Sequence, residues 1–429
     1  MKICLVFPNS MKLPNHIHNA SSILGISKRV FAPLGMLYII SNSSRKIDFI
    51  DNKINRYSNE ILYNKLKEYD VVGFGGTILE VKQAKDVAEK LKDSGVVTIY
   101  GGPNATIDYN CYIDNFDFIV RGEGEITFEE LLNSLENKGS FDDIDGITYK
   151  KNDKVIHNPD RPYIENLDSL KYPSRELLKF NKYVRKHNYV KAYPLDTIVS
   201  SRGCPFACTF CSSKLIWNRI YRARSAKTVV EEIKYMIDNF NTKGIFFRED
   251  LFTASRQRVL EFCNLIKPLG IKWGCESRVD TIDEELAIAM GKSGCNGIFF
   301  GVESSSDKTL KLIKKGITIK NVREAVRCCH EAGITSGGTF IAGFPWENKE
   351  DILFGFEEAK NLGFNRIGFY RLVGLPRSEL YELIIREELD RYKYEGIIIP
   401  DTRYLHADEV TNLVTNELPN AAVYRELHN

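Results

Sequence analysis

Residues 202–212 read RGCPFACTFCS, and the rest of the chain is best read outward from them. Cys204, Cys208 and Cys211 are spaced four and three apart. Three thiolates so close together can wrap one corner of an iron–sulfur cluster, each binding a different iron. A structural zinc site normally takes four protein ligands, so zinc here would need a fourth from elsewhere in the chain. Gly203 and Pro205 suit a tight loop instead of a helix. A [4Fe–4S] cluster held by three cysteines leaves one iron open to a small molecule.

The loop follows DTIVSS (196–201), the first of six strand-like runs. The others are GIFFRED (244–250), IKWGCES (271–277), NGIFFGVES (296–304), TSGGTFIAG (335–343) and NRIGFYRL (365–372). Helical patterns separate them. The clearest is SAKTVVEEIKYMIDNF (225–240), with Val229, Val230, Ile233, Met236 and Ile237 at helical spacing. Six such units predict a partial (β/α)6 barrel over 196–375, with chemistry at the rim formed by the carboxyl ends of the strands.

Before the barrel the same rhythm appears on a smaller scale. KICLVF (2–7), KIDFID (46–51), DVVGFGG (70–76), VVTIYGG (96–102) and DFIVRGEGE (117–125) read as strands, with helices around 34–42, 57–68, 80–93 and 127–137. This predicts a doubly wound, Rossmann-like α/β domain of about five parallel strands over residues 1–140. Three strands end in glycine: Gly75 and Gly76, Gly101 and Gly102, and Gly122 with Gly124. Such ends are ordinary βα turns or places where backbone approaches a ligand closely. Residues 141–195, including the hairpin-like GITYKKNDKVIHN, read as a connector, and 376–429 as a C-terminal capping segment.

Composition narrows the classes. Lys and Arg total 59 against 57 Asp and Glu, so no basic field favours nucleic acid. Ten cysteines in 429 residues do not resemble a small disulfide-stapled scaffold. The start MKICLVFPNS reads as a strand, not a signal peptide, and no apolar run reaches the roughly 18 residues of a spanning helix. A cytoplasmic protein without membrane or nucleic-acid partners is expected.

With these residues in view, the chain resembles the radical S-adenosylmethionine (SAM) enzymes. Their signature is CxxxCxxC with an aromatic residue, here Phe210, before the last cysteine. The resemblance implies that the open iron chelates SAM, and that its reductive cleavage yields a 5′-deoxyadenosyl radical. Further motifs follow in order. Arg222 and Arg224 match a basic pair after the triad, and Glu249 with Asp250 a second-strand acidic pair. Arg278 stands where relatives contact the SAM carboxylate, and Glu303 with Ser304 where they hold its polar groups. Each has a plainer alternative: Arg278 could pair with Asp280, and Glu303 could be a solvated strand end. FIAGFPWEN resembles a fifth-strand motif from which Trp346 and Asn348 depart.

The first domain resembles the cobalamin-binding domain of B12-type radical SAM enzymes, through FAPLGMLYI (31–39), VVGFGGT (71–77), YGGPNAT (100–106) and VRGEGEITFEELL (120–132). No D-x-H-x-x-G loop offers a histidine to cobalt, and Asn104 stands where many relatives carry histidine. The resemblance implies that Thr77, Ile78 and Leu79 face the lower side of the corrin without ligating cobalt. His16 and His18 are expected at the surface. Cofactor-facing glycines would be Gly75, Gly76, Gly101, Gly102, Gly122 and Gly124.

The expected activity is cobalamin-dependent radical methylation of an unactivated carbon in a small molecule, with an external electron donor such as flavodoxin or ferredoxin. The alternative is a non-methylating radical reaction of the same architecture: dehydration, ring formation or contraction, or epimerisation. Tyr370, Arg371 and Tyr404 are candidates for substrate contact by position. Cys275 and Cys295 are expected nearer the barrel lumen than the other cysteines. RNA methylthiotransferases carry three extra N-terminal cysteines and a basic C-terminal module, neither of which is seen here.

Overall fold

A computed structural model describes residues 1–10, 31–183, 185–187 and 190–417. His16 and His18 lie outside the described residues. The chain divides into two compact units, the change falling between residues 184 and 185.

The first unit is built on a seven-stranded sheet in the order β2-β1-β3-β4-β5-β6-β7. Its strands are β1 Ile3–Phe7, β2 Asp48–Asp51, β3 Val71–Gly75, β4 Val97–Gly101, β5 Phe118–Val120, β6 Ile147–Lys151 and β7 Lys154–His157. β1 to β5 run parallel, and every residue of β3 is buried, as expected for a strand covered on both faces. The helix Val81–Leu91 turns Val81, Ala84, Val87, Ala88 and Leu91 inward at helical spacing, against Cys4, Val6, Val72 and Phe74. On the opposite face Phe128, from the helix Gly124–Asn137, packs beside Gly73.

Two strands were not expected in this sheet. β6 and β7 form a hairpin whose turn residues, Asn152 and Asp153, both have positive φ (52° and 61°), the conformation that a two-residue hairpin favours. β6 pairs antiparallel with β5, so this part of the expected connector belongs to the first sheet. Arg121 fastens it, bonding Ile147 O at 2.7 Å and Asn158 O at 2.6 Å.

The second unit holds six parallel strands in the order β15-β14-β13-β12-β11-β8, an open partial barrel. These are β8 Leu195–Ile198, β11 Gly244–Phe247, β12 Lys272–Ser277, β13 Cys295–Glu303, β14 Thr335–Ala342 and β15 Arg366–Arg371. A short antiparallel pair, β9 Ser201–Arg202 and β10 Arg222–Ala223, brackets the cysteine loop. Trp273 on β12 packs edge-on against Phe247 and Phe262 on the helix side. The intervening Gly274 faces inward, where an added Cβ would lie 2.6 Å from Val190.

That contact reveals the barrel floor. Val190, Leu195 and Phe246 form a small core with Ala192, and His187 stacks on Phe246 at 3.7 Å. The end of the expected connector therefore plugs the lumen, and Gly244 and Gly274 make room for it. Past β15, Arg371 is buried and reaches Ala407 O, Thr411 Oγ1 and Pro400 O, which ties the C-terminal segment to the barrel. No helix among the described residues is long and apolar enough to cross a membrane.

Candidate cluster and cofactor site

The cysteine loop is held at both ends by two acids just past β11, buried Glu249 and exposed Asp250. Glu249 accepts the backbone N–H groups of Ser200 and Ser201 at 2.5 and 2.9 Å, and the Ser200 hydroxyl at 3.0 Å. Burial pushes its carboxyl up. Its oxygens are thus engaged inside the protein, where they anchor the start of the loop. Asp250 accepts Ser213 Oγ at 2.8 Å and the backbone of Gly203. Gly203 has φ +87°, and an added Cβ would lie 2.0 Å from Ile220 O. Only glycine fits there.

Cys208 is buried, and Cys204 and Cys211 are half-buried; all three are free thiols. Burial raises Cys204, and pushes Cys211 up to about 12, with the charge of the neighbouring thiols adding to both. A metal reverses this, because a coordinated sulfur is deprotonated. Among the described residues no three His, Cys, Asp or Glu side chains converge as a single ion would require. Three free thiols on one loop are the donor set of a cluster that takes one cysteine per iron.

Arg278 forms a two-pronged pair with Asp280, both contacts at 2.9 Å, and donates to Lys315 O at 2.6 Å. Its guanidinium lies 3.5 Å from the centre of the Phe206 ring, and Nη1 is 3.8 Å from Cys208 Sγ. The arginine thus pairs with Asp280 and also braces the cysteine loop through Phe206 and Cys208.

Glu303 lies at an irregularity in the β13–β14 register with φ +76°, a conformation rarely adopted by a glutamate. Its Oε1 accepts Lys315 Nζ at 3.0 Å, so it is not a solvated strand end. Ser304 is buried and its hydroxyl accepts Ser306 N at 3.2 Å. Ser304, Thr309, Ile341, Trp346 and Glu347 contribute to a cavity of about 180 Å³ at the carboxyl ends of β13 and β14. The departures from the fifth-strand motif are accommodated. Trp346 donates to Thr309 Oγ1 at 3.1 Å, and Asn348 caps the helix Lys349–Lys360. Glu347 closes the turn by accepting Gly343 N and Phe344 N.

The remaining candidates disperse. Arg222 lies over Trp217 at 5.5 Å, and Arg224 pairs with Glu232. Phe210 lies under Lys315 Nζ at 5.8 Å. Tyr370 is half-buried on the inner face, Arg371 belongs to the C-terminal brace, and Tyr404 is 63% exposed. Cys275 and Cys295 are both buried, and Cys275 shares a face of β12 with Trp273, which packs on Phe262 of the helix Arg256–Ile266, so it faces the helix layer and not the lumen.

Two residues were overlooked. Lys315, within LKLIKKGIT, is buried, and only the fold brings it to Glu303. Glu276 faces inward, two residues above Gly274; its nearest cation is Arg248 at 3.8 Å, and burial pushes it up to about 6. The period-two alternation of WGCES marked that position.

In the first unit, most strand-end glycines are needed by the protein itself. A Cβ on Gly75 would meet Met36 Sδ at 2.4 Å, and one on Gly76 would meet Glu80 at 2.7 Å. One on Gly102, at φ +115°, would lie 2.9 Å from Gly76 O, and one on Gly124 would lie 3.1 Å from Ile39. A Cβ on Gly101 would make only ordinary contact with Val120, while Gly122, at φ +69°, has nothing within 4 Å. Close approach to a ligand is therefore open at Gly101 and Gly122, whereas packing explains the other four. Buried Glu80 fastens the following loop through Thr77 N and Oγ1, both at 2.7 Å, and leaves Ile78 and Leu79 half-exposed at the end of β3. Asn104 Nδ2 is buried without a hydrogen-bond partner. An apolar shelf, an open glycine and an unsatisfied donor suit a large apolar ring edged with amides, and cobalamin is such a group.

Comparisons with known proteins agree with this architecture. Residues 198–359 match the radical SAM superfamily. An uncharacterised methyltransferase of Pyrococcus horikoshii is 33% identical over 400 residues, covering 91% of this chain and 84% of the relative. The anaerobic magnesium-protoporphyrin IX monomethyl ester cyclase of Rubrivivax gelatinosus is 28% identical over 388 residues, 86% of this chain and 68% of that one. The radical SAM methyltransferase TsrM of Kitasatospora setae, solved with cobalamin and a [4Fe–4S] cluster, superposes with a TM-score of 0.71. At 15% identity it covers 99% of this chain and 83% of TsrM, which speaks to the fold.

Proposed function

The chain belongs to the radical SAM superfamily, in the B12-type branch that carries a cobalamin-binding domain before its barrel, and from that membership we propose that it methylates an unactivated carbon of a small molecule. The observation that carries this reading is the succession of a glycine-ended parallel sheet and a partial barrel bearing Cys204, Cys208 and Cys211 on its first loop. The groups bound in such enzymes supply hydrogen-atom abstraction by a 5′-deoxyadenosyl radical from SAM and methyl transfer from cobalamin.

The chain's own residues have separate tasks in this reading. The three cysteines hold a [4Fe–4S] cluster, while Glu249, Asp250 and Arg278 keep their loop in shape. Glu303 and Ser304 orient SAM, and Phe210 lies next to it. The half-exposed Ile78 and Leu79 with Thr77, the open Gly122 and the unsatisfied Asn104 amide receive cobalamin. The Val190 plug closes the floor of the lumen against water. An electron donor such as flavodoxin or ferredoxin reduces the cluster, and the protein works in the cytoplasm without nucleic acid.

The test is anaerobic purification with iron, sulfide and cobalamin, followed by incubation with reductant and methyl-labelled SAM. Cluster and corrin absorbance with label in a product supports methylation. Cluster absorbance without corrin removes methyl transfer and leaves the radical SAM reading standing. The similarity to a cyclase favours one alternative, a ring-forming reaction, which would yield 5′-deoxyadenosine but no labelled product.

A further inference from the structure

Lys315 stands where the candidate SAM site and the cysteine loop meet. Its ammonium lies 3.0 Å from Glu303 Oε1 and 5.8 Å from the centre of the Phe210 ring. Its carbonyl accepts Arg278 Nη2, whose guanidinium also reaches Cys208 Sγ. Two residues earlier, Ile313 O accepts Thr209 N from the middle of the cysteine loop. The segment 313–315 is thus a clasp over that loop, and Lys315 alone sends a charge from it to the end of β13.

The acid it meets is placed at some energetic cost. Glu303 takes a left-handed backbone conformation, which is unfavourable for a residue with a side chain. Its side chain folds back over Gly301, where a Cβ would lie 2.4 Å from Glu303 Oε1 and 3.3 Å from Lys315 Nζ. A positive φ, a glycine beneath the carboxylate and a buried ammonium beside it all specify one orientation. With Oε1 taken by Lys315, Oε2 is the oxygen left to face a ligand.

We infer that Lys315 is a positioning residue for SAM: by pairing with Glu303 it fixes the carboxylate that receives SAM's polar groups and couples that acid to the cysteine loop. This rests on the reading that Glu303 contacts SAM.

The experiment compares wild type with K315M, K315Q, K315R and E303Q, all reconstituted anaerobically. It reads iron content, the dissociation constant for SAM and the change that SAM causes in the electron paramagnetic resonance spectrum of the reduced cluster. Expected are near-normal iron content, SAM binding weakened at least tenfold in K315M and E303Q, and substantial recovery in K315R. If K315M does not load a cluster, K315Q is decisive, because it keeps a donor of similar length without charge and should still weaken SAM binding. Weakened binding in E303Q with unchanged binding in K315M or K315Q overturns the inference and leaves the SAM site intact. Unchanged binding in E303Q overturns the assignment of Glu303, and with it the inference. A wild type that binds no SAM overturns the functional reading itself.

Discussion

Arg278 brings one guanidinium nitrogen to 3.8 Å from the sulfur of Cys208, while both oxygens of Asp280 hold its other edge. The guanidinium thereby ties the middle of the cysteine loop to the end of β12. The arrangement predicts that Arg278→Met loses most of its cluster, and that Arg278→Lys, which keeps charge but not the planar fork, loses part. Leaving Lys315 O without its donor should also cost about 1–3 kcal/mol. Iron and sulfide per chain after reconstitution, with the thermal midpoint, measure both; full cluster content in Arg278→Met would remove the brace.

Gly203 offers a sharper test of the loop. Its positive φ and the Ile220 carbonyl, 2.0 Å from where a Cβ would lie, leave no room for alanine. Gly203→Ala should abolish cluster binding while the barrel keeps its circular dichroism. Normal absorbance near 400 nm would contradict this placement.

The barrel floor predicts a stability effect remote from the chemistry. Gly274→Ala would place a methyl 2.6 Å from both Val190 and the carbonyl of Gly297. Overpacking of this kind costs roughly 1–3 kcal/mol. Truncating Val190 in the same chain should recover only part of the loss, because the Gly297 backbone cannot move away. Denaturant unfolding of single and double variants measures the coupling, and full recovery would place the strain on Val190 alone.

Stability should fall between weakly acidic and neutral pH because of Glu347. Burial raises its carboxyl from 4.5 to about 7, against the opposing N–H groups of Phe344 and Gly343. A raised value means that the folded state holds the proton more tightly. The stability this contributes is complete below 4.5 and is lost as the pH rises through about 7. Glu347→Gln cannot ionise, so its stability should gain on wild type across that window by at most about 3 kcal/mol. Parallel curves of thermal midpoint against pH would contradict the assignment.

Local patterns carried much of this protein. The spacing of Cys204, Cys208 and Cys211, the alternation of apolar strands with helices and the glycine-ended strands all act over a few residues, so they could be read before any contact was known. They were enough for two α/β units in order and for the place of the cluster. Pairings between distant segments were not readable. The hairpin at 147–157 joins the first sheet only because β5 offers it an edge. His187, Val190 and Ala192 plug a lumen that six strands must first create.

The ionic partners follow the same division. Arg278, Glu249 and Glu303 were picked out by motif, but which atoms they meet depends on what the fold brings to them. Arg278 turned to Cys208 and Phe206, Glu249 to the backbone of Ser200 and Ser201, and Glu303 to Lys315. The sequence by itself determined the residue types and spacing needed for an iron–sulfur loop at the end of a barrel strand. Only the tertiary structure decided which buried charges neutralise one another, because a buried charge must find its partner in space, however far away in the chain that partner lies.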